Sequence, residues 1–290
     1  MPETLGLIAG RGLYPREVAR LARARGFRVA AVGFHSETDP ALAEAVDSLC
    51  WVHLGELEKM IDVLRGAGVV RAVMAGKVPK THLYGDLDGF RLDTRAVHVL
   101  AGLRDRKDDS ILGAVLAEIA SEGIAFPDQT ELLPELFGGE GVLGERVPDE
   151  ARWADVRFAW PAAKQIGGLD IGQSIVVKDR AVIAVEAIEG TDAAIRRAGE
   201  LAGPGCCVVK VAKPSQDPRF DLPTVGLETV KALADARAAV FAFEAHRTVL
   251  LGAAEVARAA DAHGIAVVGI GPAGPGERPG APGARGGGGA

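Results

Sequence analysis

The chain has 290 residues, 33 basic against 39 acidic side chains for a formal net charge of −6, 48% hydrophobic residues and 5% aromatic ones. At about 150 residues per domain, that length predicts two domains. The composition is that of a core-forming chain, which excludes global disorder, and the acidic balance excludes a nucleic-acid binder working through bulk positive charge.

No uncharged apolar run approaches the ~18 residues of a membrane-spanning helix; the longest, 111–117 and 238–243, are core-length pieces. The opening Met1-Pro2-Glu3-Thr4 lacks the basic start of a signal peptide. Three cysteines, two of them adjacent at Cys206 and Cys207, make neither a disulfide framework nor a metal spacing. A reduced, cytoplasmic protein is expected.

In chain order, the apolar runs 5–9, 29–32 and 72–75 read as strands buried on both faces, separated by helical patterns at 16–25 and 57–67. This alternation predicts a parallel sheet with helices on its faces. A longer helical region, 94–122, is interrupted by the charged cluster 104–109. Residues 134–150 turn to Gly, Pro and acidic residues without periodicity and read as a linker. The second half opens with a helix over 151–166, a hairpin of 174–177 with 181–187 around Lys178-Asp179-Arg180, a helix over 191–201 and a strand over 207–211. A proline-punctuated segment follows from Lys213 to Pro223, then helix–strand alternation through 239–243, 249–263 and 265–270. The expected fold is α/β, with a parallel-sheet domain over 1–133, the linker, a mixed α/β domain over 151–270, and a tail over 271–290. The tail carries nine glycines and four prolines, too little apolar surface to offset its ordering entropy, so it reads as disordered.

Four places carry side chains suited to chemistry. Ile8-Ala9-Gly10-Arg11-Gly12-Leu13-Tyr14-Pro15 puts two glycines at a strand-to-helix turn, where backbone can approach a phosphate. A dinucleotide fingerprint would have Gly or Ala where Pro15 stands and an acid where Gly33-Phe34-His35 ends the second strand, so a nicotinamide reading fails. What remains is a phosphate-facing turn or a tight turn without a ligand. Met74-Ala75-Gly76-Lys77-Val78-Pro79-Lys80 is a second such turn, with Lys77 and Lys80 either meeting a phosphate or simply solvated. Glu186 interrupts an apolar strand and needs a cation, a metal or a hydrogen-bond donor. Gly190-Thr191 then opens a helix with Thr191 as the expected N-cap. From Lys210 to Gly226, Lys210, Lys213 and Arg219 share a braced stretch with Gln216, Asp217 and Asp221. Hard oxygen donors beside cations suit Mg²⁺-dependent phosphoryl chemistry, or equally an ordered loop with internal ion pairs. Adjacent Asp108-Asp109 read as a solvated helix start, and the six histidines show no metal spacing.

Together, Leu7-Ile8-Ala9-Gly10-x-Gly12-x-x-Pro15, Leu169-Asp170-Ile171-Gly172-Gln173, Val185-Glu186-Ala187-x-Glu189-Gly190-Thr191-Asp192 and Lys213-Pro214-x-Gln216-x-x-Arg219-x-Asp221-Leu222-Pro223-Thr224-x-Gly226 resemble the LpxI-type UDP-2,3-diacylglucosamine pyrophosphatases. The resemblance implies an N-terminal Rossmann-like domain, a C-terminal α/β domain and Mg²⁺-dependent hydrolysis of the lipid-linked UDP-sugar to UMP and 2,3-diacylglucosamine 1-phosphate (lipid X), a step of lipid A synthesis. It places the essential aspartate on Asp221. With that frame, metal contacts are expected from Asp221, Glu186 and Glu189, and substrate contacts from Gly10, Gly12, Gly76, Lys77, Gln173, Glu186, Thr191, Asp192, Lys210 and Arg219. A protein touching the inner membrane peripherally, and a homodimer, follow from the same resemblance. A non-catalytic binder or sensor of the sugar nucleotide or lipid is the alternative.

Overall fold

The computed structural model of the chain describes residues 2–35, 37–78, 91–103, 108–214, 216–220 and 222–276, with residues 108 and 109 described by their backbone alone. They form two compact units: Met1–Leu136 with Asp217–Asp221, and Phe137–Gln216 with Leu222–Ala290. The expected disordered tail falls largely outside the described residues, as does most of the 104–109 cluster.

The first unit alternates as its apolar runs require. Strands β1 (Thr4–Ala9), β2 (Arg28–Phe34), β3 (Ser48–Val52) and β4 (Arg71–Ala75) are all parallel, in the order β3-β2-β1-β4. Helix α1 (Tyr14–Ala24) carries Pro15 in its first turn, where a missing N–H leaves no intrahelical bond unmade. Helix α2 (Leu57–Gly66) buries Leu57, Met60, Ile61 and Leu64, the helix-spaced face visible in the sequence. These pack with Ile8, Ala30 and Val32 on one side of the sheet. The alternate residues Leu5 and Leu7 are also fully buried, which is why the strands read as unbroken apolar runs. The region 94–122 resolves into α3 (Thr94–Ala101), capped by the Asp93 carboxylate on Ala96 N, and α4 (Asp108–Ser121). A single helical turn, α5 (Gln129–Leu132), follows.

The second unit is built on a six-stranded sheet in the order β5-β12-β10-β8-β6-β7. Its strands are β5 (Gly141–Leu143), β6 (Ser174–Lys178), β7 (Ala181–Val185), β8 (Cys207–Lys210), β10 (Val240–Glu244) and β12 (Ala266–Ile270). The strands β8, β10 and β12 are parallel, whereas β5, β6 and β7 pair antiparallel with their neighbours. A separate parallel pair joins β9 (Thr224–Val225) to β11 (Val249–Leu250). Helix α6 (Glu150–Gly168) covers one face: Trp153, Val156, Ala159, Trp160 and Ala163 pack on Ile175, Val177, Cys207 and Val209. Residues of α7 (Thr191–Ala202), α8 (Leu227–Asp235) and α9 (Ala253–Ala262) pack on the other face with Val176, Val208, Phe241 and Val267. The chain is therefore α/β, with one parallel and one mixed sheet.

The segment 134–150, expected as a linker, instead carries β5 paired with β12, and the change of unit falls between Leu136 and Phe137. A three-residue edge strand is too short to print a period of two in the sequence. Burial pushes the thiol pKa values of Cys206 and Cys207 up, Cys207 the more strongly, so neither supplies a thiolate at neutral pH.

The β6–β7 hairpin turns on two residues, Asp179 and Arg180, both left-handed with φ of 52° and 59°, as a two-residue turn matched to strand twist demands. Asp155 of α6, only 2% exposed, accepts the amides of both, from Arg180 at 2.7 Å and Asp179 at 3.2 Å. An Asp155→Ala substitution strands those amides and is expected to cost about 2–3 kcal/mol in a urea unfolding titration. Arg180→Gly, which relieves a left-handed side chain while keeping its amide, shifts the midpoint the other way by about 0.5–1 kcal/mol.

Candidate active site

The register of the second sheet brings three polar residues side by side. Ser174 of β6 pairs with Lys210 at the end of β8, and Glu186 follows β7 with its amide donating to Ser174 O at 2.9 Å. By alternation they share the face of Val176, Val208 and Ala184, which is the face packed against three helices. Lys210 and Glu186 are 5% and 7% exposed, so each charge needs partners at hand.

Thr191 is a partner to both. Its hydroxyl donates to Glu186 Oε1 at 2.9 Å and accepts from Lys210 Nζ at 3.1 Å, with Ser174 Oγ 3.3 Å away. Lys210 Nζ also donates to Thr224 O at 3.1 Å, and Gln173 N to Glu186 Oε2 at 3.4 Å. Thr191 was expected as the N-cap of its helix; that position is held by Gly190 at φ 83°, and no side chain caps the helix. The hydroxyl is thereby released to join the carboxylate to the ammonium. Gly172 allows the two loops to meet: a Cβ there would lie 2.1 Å from Glu186 O. Gln173 Oε1 is a buried acceptor without a donor among the described residues.

Other expected residues stand differently. Glu189 turns outward to Arg197 at 2.7 Å, and its own backbone amide and Arg197 hold its carboxyl below the usual range. Asp192 lies in the first turn of α7. Lys213 pairs with Asp170 at 2.5 Å, and its amide donates to Gln216 Oε1 at 3.0 Å. Asp221, Pro79 and Lys80 lie outside the described residues. Asp217–Asp221 groups with the first unit, unlike Glu186 and Lys210. There Arg219 is bound by Asp217, Nε to Oδ1 at 2.9 Å, which lowers the Asp217 pKa.

In the first unit the strand order switches direction between β1 and β4, and a turn leaves the carboxyl end of each. That is where open α/β sheets bind ligands. The two turns are, however, hydrogen-bonded to each other: Gly10 N to Ala75 O at 2.8 Å, Arg11 N to Lys77 O at 2.8 Å and Lys77 N to Arg11 O at 3.0 Å. A Cβ on Gly10 would lie 2.7 Å from Lys77 O, and one on Gly76 2.8 Å from Arg11 O. These two glycines serve that close approach. Around Gly12, at φ 100°, the space is open. An acidic residue is found near this turn after all. The Glu37 side chain is fully buried and paired with Arg11 at 3.1 Å, three residues past β2, too far along a turn for strand patterning to reveal. The histidines, read as scattered, include one pair. His35 and His53 lie 4.6 Å apart between ring centroids, His35 also stacked on Trp51. Desolvation, then Arg91, holds the His53 pKa down.

Fold and site thus define a two-unit α/β protein with a buried charged cluster at the carboxyl end of a central strand. Two family models match: the LpxI N-terminal domain over residues 4–136 and the LpxI C-terminal domain over 139–268. A curated relative, UDP-2,3-diacylglucosamine pyrophosphatase LpxI of Caulobacter vibrioides, is 36% identical over 279 residues, covering 92% of this chain and 98% of its own length. The chain belongs to the LpxI family. A solved biotin carboxylase domain of Hydrogenobacter thermophilus 2-oxoglutarate carboxylase aligns at 13% identity and a TM-score of 0.27, over 61% of this chain and 35% of that one; a likeness that low carries no argument.

Because one hydroxyl serves both charges, Thr191→Val is expected to lower stability by about 1–3 kcal/mol in thermal unfolding, with Thr191→Ser close to the parent. Equal loss in both variants would remove the hydroxyl from its linking role.

Proposed function

We propose that this chain hydrolyses the pyrophosphate bond of UDP-2,3-diacylglucosamine, releasing UMP and 2,3-diacylglucosamine 1-phosphate, with Mg²⁺. Family membership, with a relative of that name matched over nearly its whole length, carries the reading. The Glu186–Thr191–Lys210 cluster is consistent with it, since a fixed, desolvated ammonium stabilises a phosphate far better than a solvated one. In the reaction water adds to one phosphorus and loses a proton, while the bridging oxygen leaves with the other phosphate.

Asp221 is assigned to metal binding or water activation, Lys210 and Thr191 to the phosphate or sugar, and Gln173 to a polar contact through its unpaired carbonyl oxygen. Glu186 keeps Thr191 oriented. The Mg²⁺ proposal has to meet the donors present. Glu186 is engaged by Thr191 and Gln173, Glu189 by Arg197, and among the described residues no group of three His, Cys, Asp or Glu is placed to hold an ion. Mg²⁺ commonly takes one or two carboxylates together with substrate phosphates, so the proposal rests on Asp221 and the diphosphate's own oxygens. When bound, the ion would neutralise phosphoryl oxygens.

Apolar groups flank the cluster: Leu169 and Ile171 on the loop before Gly172, and Ile188 on the loop after Glu186, are exposed by 69%, 50% and 101%. We assign them to the acyl chains or to the bilayer surface that delivers the lipid. Among the described residues no helix is long and apolar enough to cross a membrane. A cytoplasmic location, peripheral inner-membrane contact and a homodimer complete the proposal.

Incubation with UDP-2,3-diacylglucosamine and Mg²⁺ in ¹⁸O-water tests the reaction. Labelled UMP marks attack at the α-phosphorus, and labelled sugar phosphate marks the β-phosphorus. Chelation is expected to stop turnover, and Asp221→Ala to slow it about 10²–10⁴-fold with the fold intact. Binding without product release would instead make the protein a sensor. Ile188→Asp is expected to reduce sedimentation with phospholipid vesicles and raise KM for the lipid several-fold, leaving thermal stability unchanged.

A further inference from the structure

Gln129 is fully buried in the single turn α5, outside every motif the sequence singled out. Its side-chain amide is engaged on both sides. Oε1 accepts the Tyr14 hydroxyl at 2.7 Å, while Nε2 donates to Met74 O at 2.9 Å and to Arg219 O at 2.9 Å. Its backbone N–H reaches Pro218 O at 3.4 Å. Two carbonyls on one side and a hydroxyl on the other fix the amide orientation, since the flipped form would set carbonyl against carbonyl. Tyr14, whose pKa burial pushes up, remains a donor across the neutral range. One residue thus ties the start of α1 and the end of β4 to the main chain two residues before Asp221.

We infer that Gln129 is a positioning residue for the reaction: it anchors the backbone at Pro218 and Arg219, the stretch of chain that leads into Asp221. The inference rests on the reading of Asp221 as the catalytic aspartate. The Asp217–Arg219 ion pair stiffens the segment from within, whereas Gln129 binds it to the first sheet. Neither of the two side chains nearest in shape does the same in this cage. A carboxylate would face two carbonyls, and methionine, of similar length, would leave both carbonyls and the phenol without partners.

Gln129→Met, folded by circular dichroism, is expected to lower kcat at least about tenfold with KM within about twofold, as misplacement of a reacting group does. Hydrogen exchange over 216–222 should accelerate. In an Asp221→Ala background the same substitution should cost nothing further. Wild-type kcat, unchanged exchange, or an undiminished loss in the Asp221→Ala background would each overturn the inference. Should Gln129→Met fail to fold, Tyr14→Phe removes only the hydroxyl. It is expected to move kcat and exchange the same way by a smaller factor, and unchanged values of both overturn the inference. An inactive wild-type chain, or an active Asp221→Ala, overturns the catalytic reading and this inference with it, whereas a failure confined to Gln129 leaves the reading standing.

Discussion

The second unit depends on a short link: the Thr191 hydroxyl between a buried ammonium and a buried carboxylate. Burying either charge alone would cost several kcal/mol. What brings them together is strand parity. On β8, Cys207 and Val209 face α6 while Val208 and Lys210 face the three helices. A slip of one residue would drive Lys210 into the tryptophan-rich face under α6. The apolar rows beneath Lys210 and Glu186 therefore hold the polar row in place, and packing energy is converted into the position of two charges.

The first unit uses its backbone in another way. Gly10, Arg11 and Lys77 spend their amides on each other's turns, so the crevice at the switch of strand order is stiffened by its own main chain. The space around Gly12 stays open. The buried Glu37 carboxylate ties the Arg11 guanidinium down beside it. Glycine at 10 and 76 is then a requirement of chain meeting chain, a reason distinct from the approach to phosphate that two glycines suggest on their own.

Much of this architecture is legible in the sequence, because period is a long-range signal. The polar Lys178-Asp179-Arg180 between two apolar runs marks the hairpin, and the face of α2 and the buried runs of β1, β2 and β4 each repeat often enough to be read. Strands β5, β9 and β11, of two or three residues, do not. Glu186 was legible as a carboxylate in an apolar run needing a donor, and it has one. The donor was misread: Thr after Gly at a helix start looks like a cap, and only Gly190 at positive φ frees it for another task. Gln129 and Glu37 carried no signal, since each lies in an aperiodic turn and takes its meaning from residues about 90 and 26 positions away.

The same distinction explains why the motif from Lys213 to Gly226 is hard to read. It begins in one unit, supplies Asp217–Asp221 to the other and returns. Ordering a residue of backbone costs about 1–2 kcal/mol, so a short excursion with no strand or helix of its own is stable only if its unfolded freedom is already reduced and its backbone groups are met. Pro214, Pro218 and Pro223 do the first. The amide of Gln129, with the Asp217–Arg219 pair, does the second for the carbonyls of Pro218 and Arg219. A segment held this way owes part of its geometry to Gln129, a residue outside its motif, which is why its position cannot be read from the motif alone.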